Sequence, residues 1–176
     1  MGNNLDVDRF CPTMTDDLYW NESCWFSFSI PEKEIHGMVY YFFRPNMKLL
    51  MGGPILWDGS GANPWDCLYY DWHHFQTIPE GAEKFDFRSH TSLEVRVEEP
   101  QRQYRLLYDQ PDFKLDLEWK GIEPPHHFLG MEIEATGMSA ENRMHLEQMG
   151  RASGWLELRG ERMQVDCYAL RDSSWG

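Results

Sequence analysis

The sequence is poor in basic residues. Only 16 lysines and arginines stand against 29 aspartates and glutamates in 176 residues, which gives a formal net charge of −13. Such a surface repels phosphates and cannot gain the counterion release that dominates nucleic-acid binding. The chain also lacks an apolar run near the roughly 20 residues that a membrane-spanning helix needs. We therefore predict neither a nucleic-acid partner nor a membrane span.

Cysteine is scarce and scattered. The four cysteines, Cys11, Cys24, Cys67 and Cys167, form no Cys-x-x-Cys pair. This spacing excludes a zinc ribbon and the disulfide framework of small secreted domains. Residues 1–6 lack the basic and apolar regions of a signal peptide. We therefore predict a cytoplasmic protein with free thiols.

Motifs for nucleophilic, phosphate and metal chemistry are also absent. No Gly-x-Ser-x-Gly elbow occurs, and the glycines at 52–53 and 59–61 have no Lys-Ser/Thr partner. Two histidine pairs occur, at 73–74 and 126–127, but neighbouring side chains on a strand point to opposite faces and cannot ordinarily share one ion. The sequence therefore predicts no metal site and no cofactor.

Aromatic side chains are abundant. Phenylalanine, tryptophan and tyrosine make up 15% of the sequence, with 8 tryptophans among them. Flat side chains suit both the pleated surface of a sheet and the lining of a ligand pocket. Apolar and charged residues alternate over 93–98 and 113–120, and less strictly over 155–159, which predicts half-buried antiparallel strands. Turn-forming residues at 99–102, 109–112 and 159–162 predict hairpins.

The first third of the chain predicts three more strands, at 23–30, 35–44 and 48–57. A Gly-Gly-Pro triplet at 52–54 predicts a bulge or bend in the third, because proline cannot donate to a central ladder. The only candidate helix, near 139–149, is too short to weigh against nine or ten strands. We predict an all-β, antiparallel fold, either a lipocalin-like β-barrel or a strongly curved sandwich, in a single domain over 1–176.

Two stretches of the sequence resemble a known bacterial family. The later stretch contains His145-Leu146-Glu147-Gln148-Met149-Gly150, then Gly154, Gly160 and Arg171-Asp172-Ser173-Ser174-Trp175-Gly176. The earlier one, Asn21-Glu22-Ser23-Cys24-Trp25-Phe26, is similar to the first strand of relatives of unknown function. Together they resemble the AttH-like family of lipocalin-related proteins, which includes the carotenoid 1,2-hydratases (hydroxyneurosporene synthases).

The resemblance implies two consecutive β lobes with an apolar cavity. This chain would be the amino-terminal lobe, and a second β lobe would follow Gly176. In the hydratases the last motif reads Asp-His-Asn-Trp-Gly, and its His and Trp are proposed to act in protonating an alkene. Asp172 and Trp175 match that motif, whereas Ser173 and Ser174 replace the His and the Asn. The resemblance therefore implies Asp172 and Trp175 as candidate catalytic residues, with burial of Asp172 able to raise its pKa and Trp175 able to face a carbocation.

Five other residues are candidates for binding a ligand. His145 and Glu147 share one face of a strand, because they lie two residues apart. Tyr70, Trp72 and His73 belong to a stretch dense in aromatic residues. We predict that these five lie at the rim of a cavity.

The leading prediction for function is the binding of an apolar small molecule, isoprenoid, steroid-like or aromatic, in a β-barrel cavity. One alternative is a cofactor-independent hydratase, isomerase or cyclase that acts on such a ligand when the protein is complete. The other is a non-catalytic lobe whose aromatic face docks on its partner domain. If that face is exposed, a dimer could form through it.

Overall fold

The computed structural model describes residues 7–11, 15–128 and 144–176. These residues form twelve β-strands: β1 (Glu22–Ile30), β2 (Ile35–Arg44), β3 (Leu49–Trp57), β4 (Tyr69–Tyr70), β5 (His73–Thr77), β6 (Phe87–Arg88), β7 (Glu94–Glu99), β8 (Gln103–Gln110), β9 (Phe113–Gly121), β10 (His126–Phe128), β11 (Met144–Leu158) and β12 (Glu161–Trp175). Within these ranges, no helix is long and apolar enough to cross a membrane.

All twelve strands belong to one antiparallel sheet. Its order is β4-β3-β2-β1-β12-β11-β9-β8-β7-β6, with β5 paired to β3 and β10 paired to β11. No ladder among the described residues joins β6 back to β4, so the sheet stays open. The all-β, antiparallel prediction is confirmed. The closed-barrel alternative is wrong for the described residues, which form one open antiparallel sheet.

The sheet is curved because one of its faces packs against itself. We call this the inner face. Phe26 of β1 contacts Tyr104 of β8 and Trp119 of β9, with ring centroids 5.5 and 5.8 Å apart. Tyr41 of β2 lies 4.9 Å from Phe87 of β6. These rings are almost fully buried, and such contacts between strands distant in the sheet require it to fold over its own core.

A short segment near the start of the chain adds a polar link across this core. The Asp8 carboxylate accepts hydrogen bonds from the Tyr104 hydroxyl at 2.6 Å, the Gln101 backbone N–H at 2.6 Å and the Arg171 guanidinium at 3.0 Å. Tyr104 belongs to β8 and Arg171 to β12. Asp8 therefore joins two well-separated strands of the open sheet.

The predicted strands in the first third of the chain are confirmed as β1, β2 and β3. The predicted alternating runs are confirmed in β7, β9 and β11. The candidate helix near 139–149 is a strand in its described part. Residues 144–149 lie in β11, and residues 139–143 lie outside the described residues. The Gly-Gly-Pro triplet pairs regularly with β2, and the register shift lies between β3 and β5.

Candidate functional site

Five neighbouring strands present a continuous set of polar and aromatic side chains on the face opposite the core, which we call the outer face. The pairing of β2, β1, β12, β11 and β10 aligns these side chains in two rows. One row contains Tyr40, Trp25, Asp172, Glu147 and His126, and the next contains Phe42, Ser23, Ser174, His145 and Phe128. Period-two alternation therefore brings residues from both halves of the sequence onto one surface.

Asp172, His145 and Glu147 lie together at the centre of this surface and form what we call the acid cluster. His145 Nε2 is 3.4 Å from a carboxylate oxygen of Asp172 and 3.5 Å from one of Glu147. Ligand atoms of the three side chains all lie within 4.8 Å of one another, so these are the described residues that could share a cation. The predicted site residues His145, Glu147 and Asp172 are thus brought together.

The protonation of Asp172 depends on its surroundings. Burial raises its pKa from 3.8 to about 6, the nearby His145 opposes the rise, and Glu147 adds to it. A hydrogen bond with Trp25 also favours the carboxylate and lowers the pKa. With only 7% of the residue exposed, Asp172 can hold a proton close to neutral pH, as a general acid must.

Three hydroxyl groups form a chain across strands β2, β1 and β12 beside the acid cluster. Ser23 Oγ lies 2.8 Å from Ser174 Oγ, and Ser23 lies close enough to the Tyr40 hydroxyl to lower the pKa of Tyr40. Burial raises the pKa of Tyr40, and the charge of Asp172 raises it further. We call Tyr40, Ser23 and Ser174 the hydroxyl line. Its last member, Ser174, pairs with His145 across the strands.

An aromatic surface continues from the hydroxyl line towards β3. The Trp72 ring lies 5.2 Å from Tyr40, 6.2 Å from Phe42 and 6.5 Å from Tyr70, and it is nearly parallel to Tyr70. We call these four residues the aromatic patch. Tyr70 remains 48% exposed. The patch and the acid cluster therefore form one surface. Tyr40 belongs both to the patch and to the hydroxyl line.

Close backbone packing places Trp72 on this surface. The Asp71 N–H donates to the Pro54 carbonyl at 3.1 Å. A Cβ on Gly53 would lie 1.9 Å from the Asp71 carbonyl oxygen. The segment that carries Tyr70 and Trp72 can cross β3 so closely only because residue 53 is glycine.

His73 and Trp175 lie away from the acid cluster. His73 contacts the Asp71 carboxylate, which also accepts a hydrogen bond from the Tyr108 hydroxyl of the inner face. Trp175 lies on the inner face, three residues from Asp172 and therefore on the opposite side of β12. It does face a cation, because the buried Lys84 Nζ lies 4.3 Å from its ring centroid.

The histidine pair at 126–127 behaves as the alternation predicts. His126 and Phe128 point to the outer face, where their rings are 4.7 Å apart and Phe128 is 5.3 Å from His145. His127 contacts Met144 instead, with Nδ1 3.3 Å from the sulfur. Each histidine of this pair therefore has a different environment.

Sequence reasoning missed Trp25, Tyr40 and Ser23. All three lie in predicted strands, and their alternation with the buried Cys24, Phe26 and Tyr41 was a usable signal for the outer face. Their proximity to Asp172 depends on the pairing of β1 with β12. Alternation within single strands does not reveal which strands are neighbours.

Comparison with known proteins places the chain at the level of family and fold. Residues 6–176 match the family described as a domain of unknown function, DUF7064. No curated protein sequence matches. A Nitrosomonas europaea protein provisionally named AttH shares the fold, with a TM-score of 0.61 and 16% identity over 92% of this chain and 53% of its own.

Kievitone hydratase from Nectria haematococca also shares the fold, with a TM-score of 0.53 and 11% identity over 94% of this chain and 52% of its own. The chain thus spans about half the length of each solved structure. At these identities the likeness is one of fold, and it confirms the AttH-like resemblance of the sequence at that level.

Proposed function

The chain belongs to the DUF7064 family, and from that premise we propose that it binds an apolar, planar small molecule on the outer face of its sheet. The observation that carries the proposal is the continuity of the aromatic patch with Asp172, a nearly buried carboxyl group. Ligand sites typically combine apolar and aromatic walls with a few polar groups at fixed positions. The aromatic patch, the hydroxyl line and the acid cluster supply that combination.

The outer face suits this role better than the inner face. Phe26, Tyr41, Tyr104 and Trp119 are all buried in contact with other rings of the inner face. A ligand there would have to displace packed aromatic side chains, and the van der Waals contacts between those side chains would be lost. On the outer face the rings of Tyr40, Phe42 and Trp72 are only partly buried, so a ligand can cover them and remove apolar area from water.

A ligand titration with one matched pair of variants tests the binding proposal. Farnesol, progesterone and naphthalene are added to the protein, with glucose as a polar control, and the melting temperature is measured. We expect saturable stabilisation by the apolar compounds, following the mass-action relation between ligand concentration and stability. Trp72→Ala should abolish it. Trp155→Ala should leave the stabilisation in place, because Trp155 lies elsewhere on β11. The guanidinium carbon of Arg162 covers its ring, 3.5 Å from the ring centroid.

No response to any apolar compound would contradict binding by this chain. The aromatic patch would then be better explained as a surface that docks a second β domain.

A second candidate function is acid-catalysed addition of water to a carbon–carbon double bond, and the contact between Asp172 and His145 favours it. One of the two solved structures with this fold is named a hydratase, which supports the same class of reaction. In the proposed step, Asp172 in its acid form gives its proton to one alkene carbon. The oxygen of a water molecule bonds to the other carbon and loses a proton to a ring nitrogen of His145.

The proton then returns from His145 to the Asp172 carboxylate across the 3.4 Å contact, which restores both groups and requires no other reactant. The Trp25 ring lies next to Asp172 in the strand register, where it can stabilise the intermediate carbocation by cation–π contact. Because the acid form of Asp172 is required, the rate should fall as the pH rises through about 6, the pKa of Asp172.

The catalytic proposal is tested with farnesol in ¹⁸O-labelled water, with mass spectrometry to detect an alcohol that has gained one labelled water. Asp172→Asn should abolish turnover, whereas Asp166→Asn, an exposed aspartate on the same strand, should leave it unchanged. Full turnover by Asp172→Asn would show that Asp172 is not the acid. Stabilisation by ligand without turnover would leave binding as the function of this chain.

A further inference from the structure

We propose that the hydroxyl line anchors a neutral oxygen substituent of the ligand, so that the outer face selects planar molecules with a hydroxyl or carbonyl group over bare hydrocarbons and carboxylates. This inference rests on the proposed binding function and names the class of ligand. Its basis is a row of three hydroxyls that connects the aromatic patch with the acid cluster.

The geometry places the hydroxyls at the border between apolar and charged groups. Tyr40 contributes its ring to the aromatic patch, and its hydroxyl lies beside Ser23. Ser23 then contacts Ser174 at 2.8 Å, and Ser174 lies opposite His145 in the strand register. A flat molecule stacked on Trp72 and Tyr40 would therefore meet these hydroxyls at its edge.

The line has hydrogen-bonding capacity to spare. Three hydroxyls have three donor hydrogens and six lone pairs, and the bond between Ser23 and Ser174 uses one of each. Two hydrogens and several lone pairs remain for a ligand. Since hydroxyl hydrogens rotate, the line can donate to a carbonyl or accept from a hydroxyl. With Ser23 only 7% exposed, a bond made here competes weakly with water.

Carboxylate ligands are disfavoured at the same place. Glu147 and Asp172 lie beside the line, and His145 is the one basic group within 3.5 Å of either of them among the described residues. Asp172, whose pKa is about 6, is charged at higher pH, and the chain as a whole has a net charge of −13. An anionic substituent would meet like charges at short range, whereas a neutral oxygen would not.

The test uses three compounds that share one ring system: naphthalene, 2-naphthol and 2-naphthoate. Each is titrated into the ¹⁵N-labelled protein at pH 7.5, and the indole N–H shift of Trp25 reports binding. We expect 2-naphthol to bind about three- to tenfold more tightly than naphthalene, the effect of one hydrogen bond in a partly buried site. We expect 2-naphthoate to bind more weakly than naphthalene.

Tyr40→Phe and Ser23→Ala should each bring the ratio of the 2-naphthol affinity to the naphthalene affinity down towards one. Tyr168→Phe is the matched control, because Tyr168 is 71% exposed and lies elsewhere on β12. If naphthalene and 2-naphthol bind the wild type equally, the inference is overturned and the binding proposal stands. If none of the three compounds binds, both are overturned.

Discussion

At the scale of single residues, Asp172 links protonation to stability. Burial raises its pKa to about 6, against an ordinary value of 3.8. The folded protein therefore takes up a proton at higher pH than the unfolded chain does. Charged Asp172 thus lowers stability above pH 6, and this cost disappears as the pH falls towards 4.

We predict that Asp172→Asn, which is neutral at every pH, increases the free energy of unfolding by about 1–3 kcal/mol at pH 8 and by much less at pH 4.5. Urea denaturation at the two pH values measures the difference. Asp166→Asn is the control: this aspartate is exposed, and hydrogen bonding from Arg151 lowers its pKa. An equal gain from Asp172→Asn at both pH values would contradict the raised pKa.

The sequence predicted part of the site at this scale. His145 and Glu147 were identified because they lie two residues apart, and Asp172 was identified by resemblance. The resemblance placed Asp172 and Trp175 together as catalytic residues. The strand puts their side chains on opposite faces of the sheet, because positions three apart on a strand face opposite ways. That relation could have been deduced once 171–175 were assigned to a strand.

At the scale of secondary-structure elements, the short segment around β4 determines whether the aromatic patch exists. It crosses β3 at Gly53, where a Cβ would meet the Asp71 carbonyl oxygen at 1.9 Å. This atom belongs to the backbone and cannot rotate away. A larger residue at position 53 must therefore push the segment and Trp72 off the sheet.

We predict that Gly53→Ala weakens binding of naphthalene by about tenfold or more while the sheet stays folded. The same indole N–H titration measures the affinity, and far-ultraviolet circular dichroism checks the fold. Gly59→Ala is the matched control, because a Cβ there meets nothing within 4 Å. Wild-type affinity in Gly53→Ala would mean that Trp72 does not need this close crossing.

The sequence predicted individual strands better than their arrangement. The alternation over 113–120 corresponds to β9, whose burial alternates along nearly its whole length. The same pattern could not predict that β1 pairs with β12, for example Ser23 with Ser174. Such pairing joins distant parts of the chain, and it is decided by packing of the whole inner face and not by local preference.

At the scale of the whole molecule, an open sheet needs contacts across its concave side to keep its curvature. Packing of aromatic and aliphatic side chains supplies many of them, and the buried pair Asp8–Arg171 adds a polar one. Arg171 also donates to Tyr104 and Gln148 and lies 4.9 Å from the Phe85 ring centroid. A charge this deeply buried is tolerated only while its partner remains in place.

We therefore predict strong energetic coupling between Asp8 and Arg171. Arg171→Met removes a cation that contacts the buried Asp8 carboxylate and should cost about 3–5 kcal/mol of unfolding free energy. Asp8→Asn should also destabilise the fold, and the double variant should lose less than the sum of the two. Urea denaturation of the four proteins completes the cycle.

Arg151 and Asp166 are the control pair: they lie 2.7 Å apart on the surface, where solvent screens the charges, and should show no measurable coupling. Additive losses for Asp8 and Arg171 would mean that aromatic packing alone maintains the curvature of the sheet.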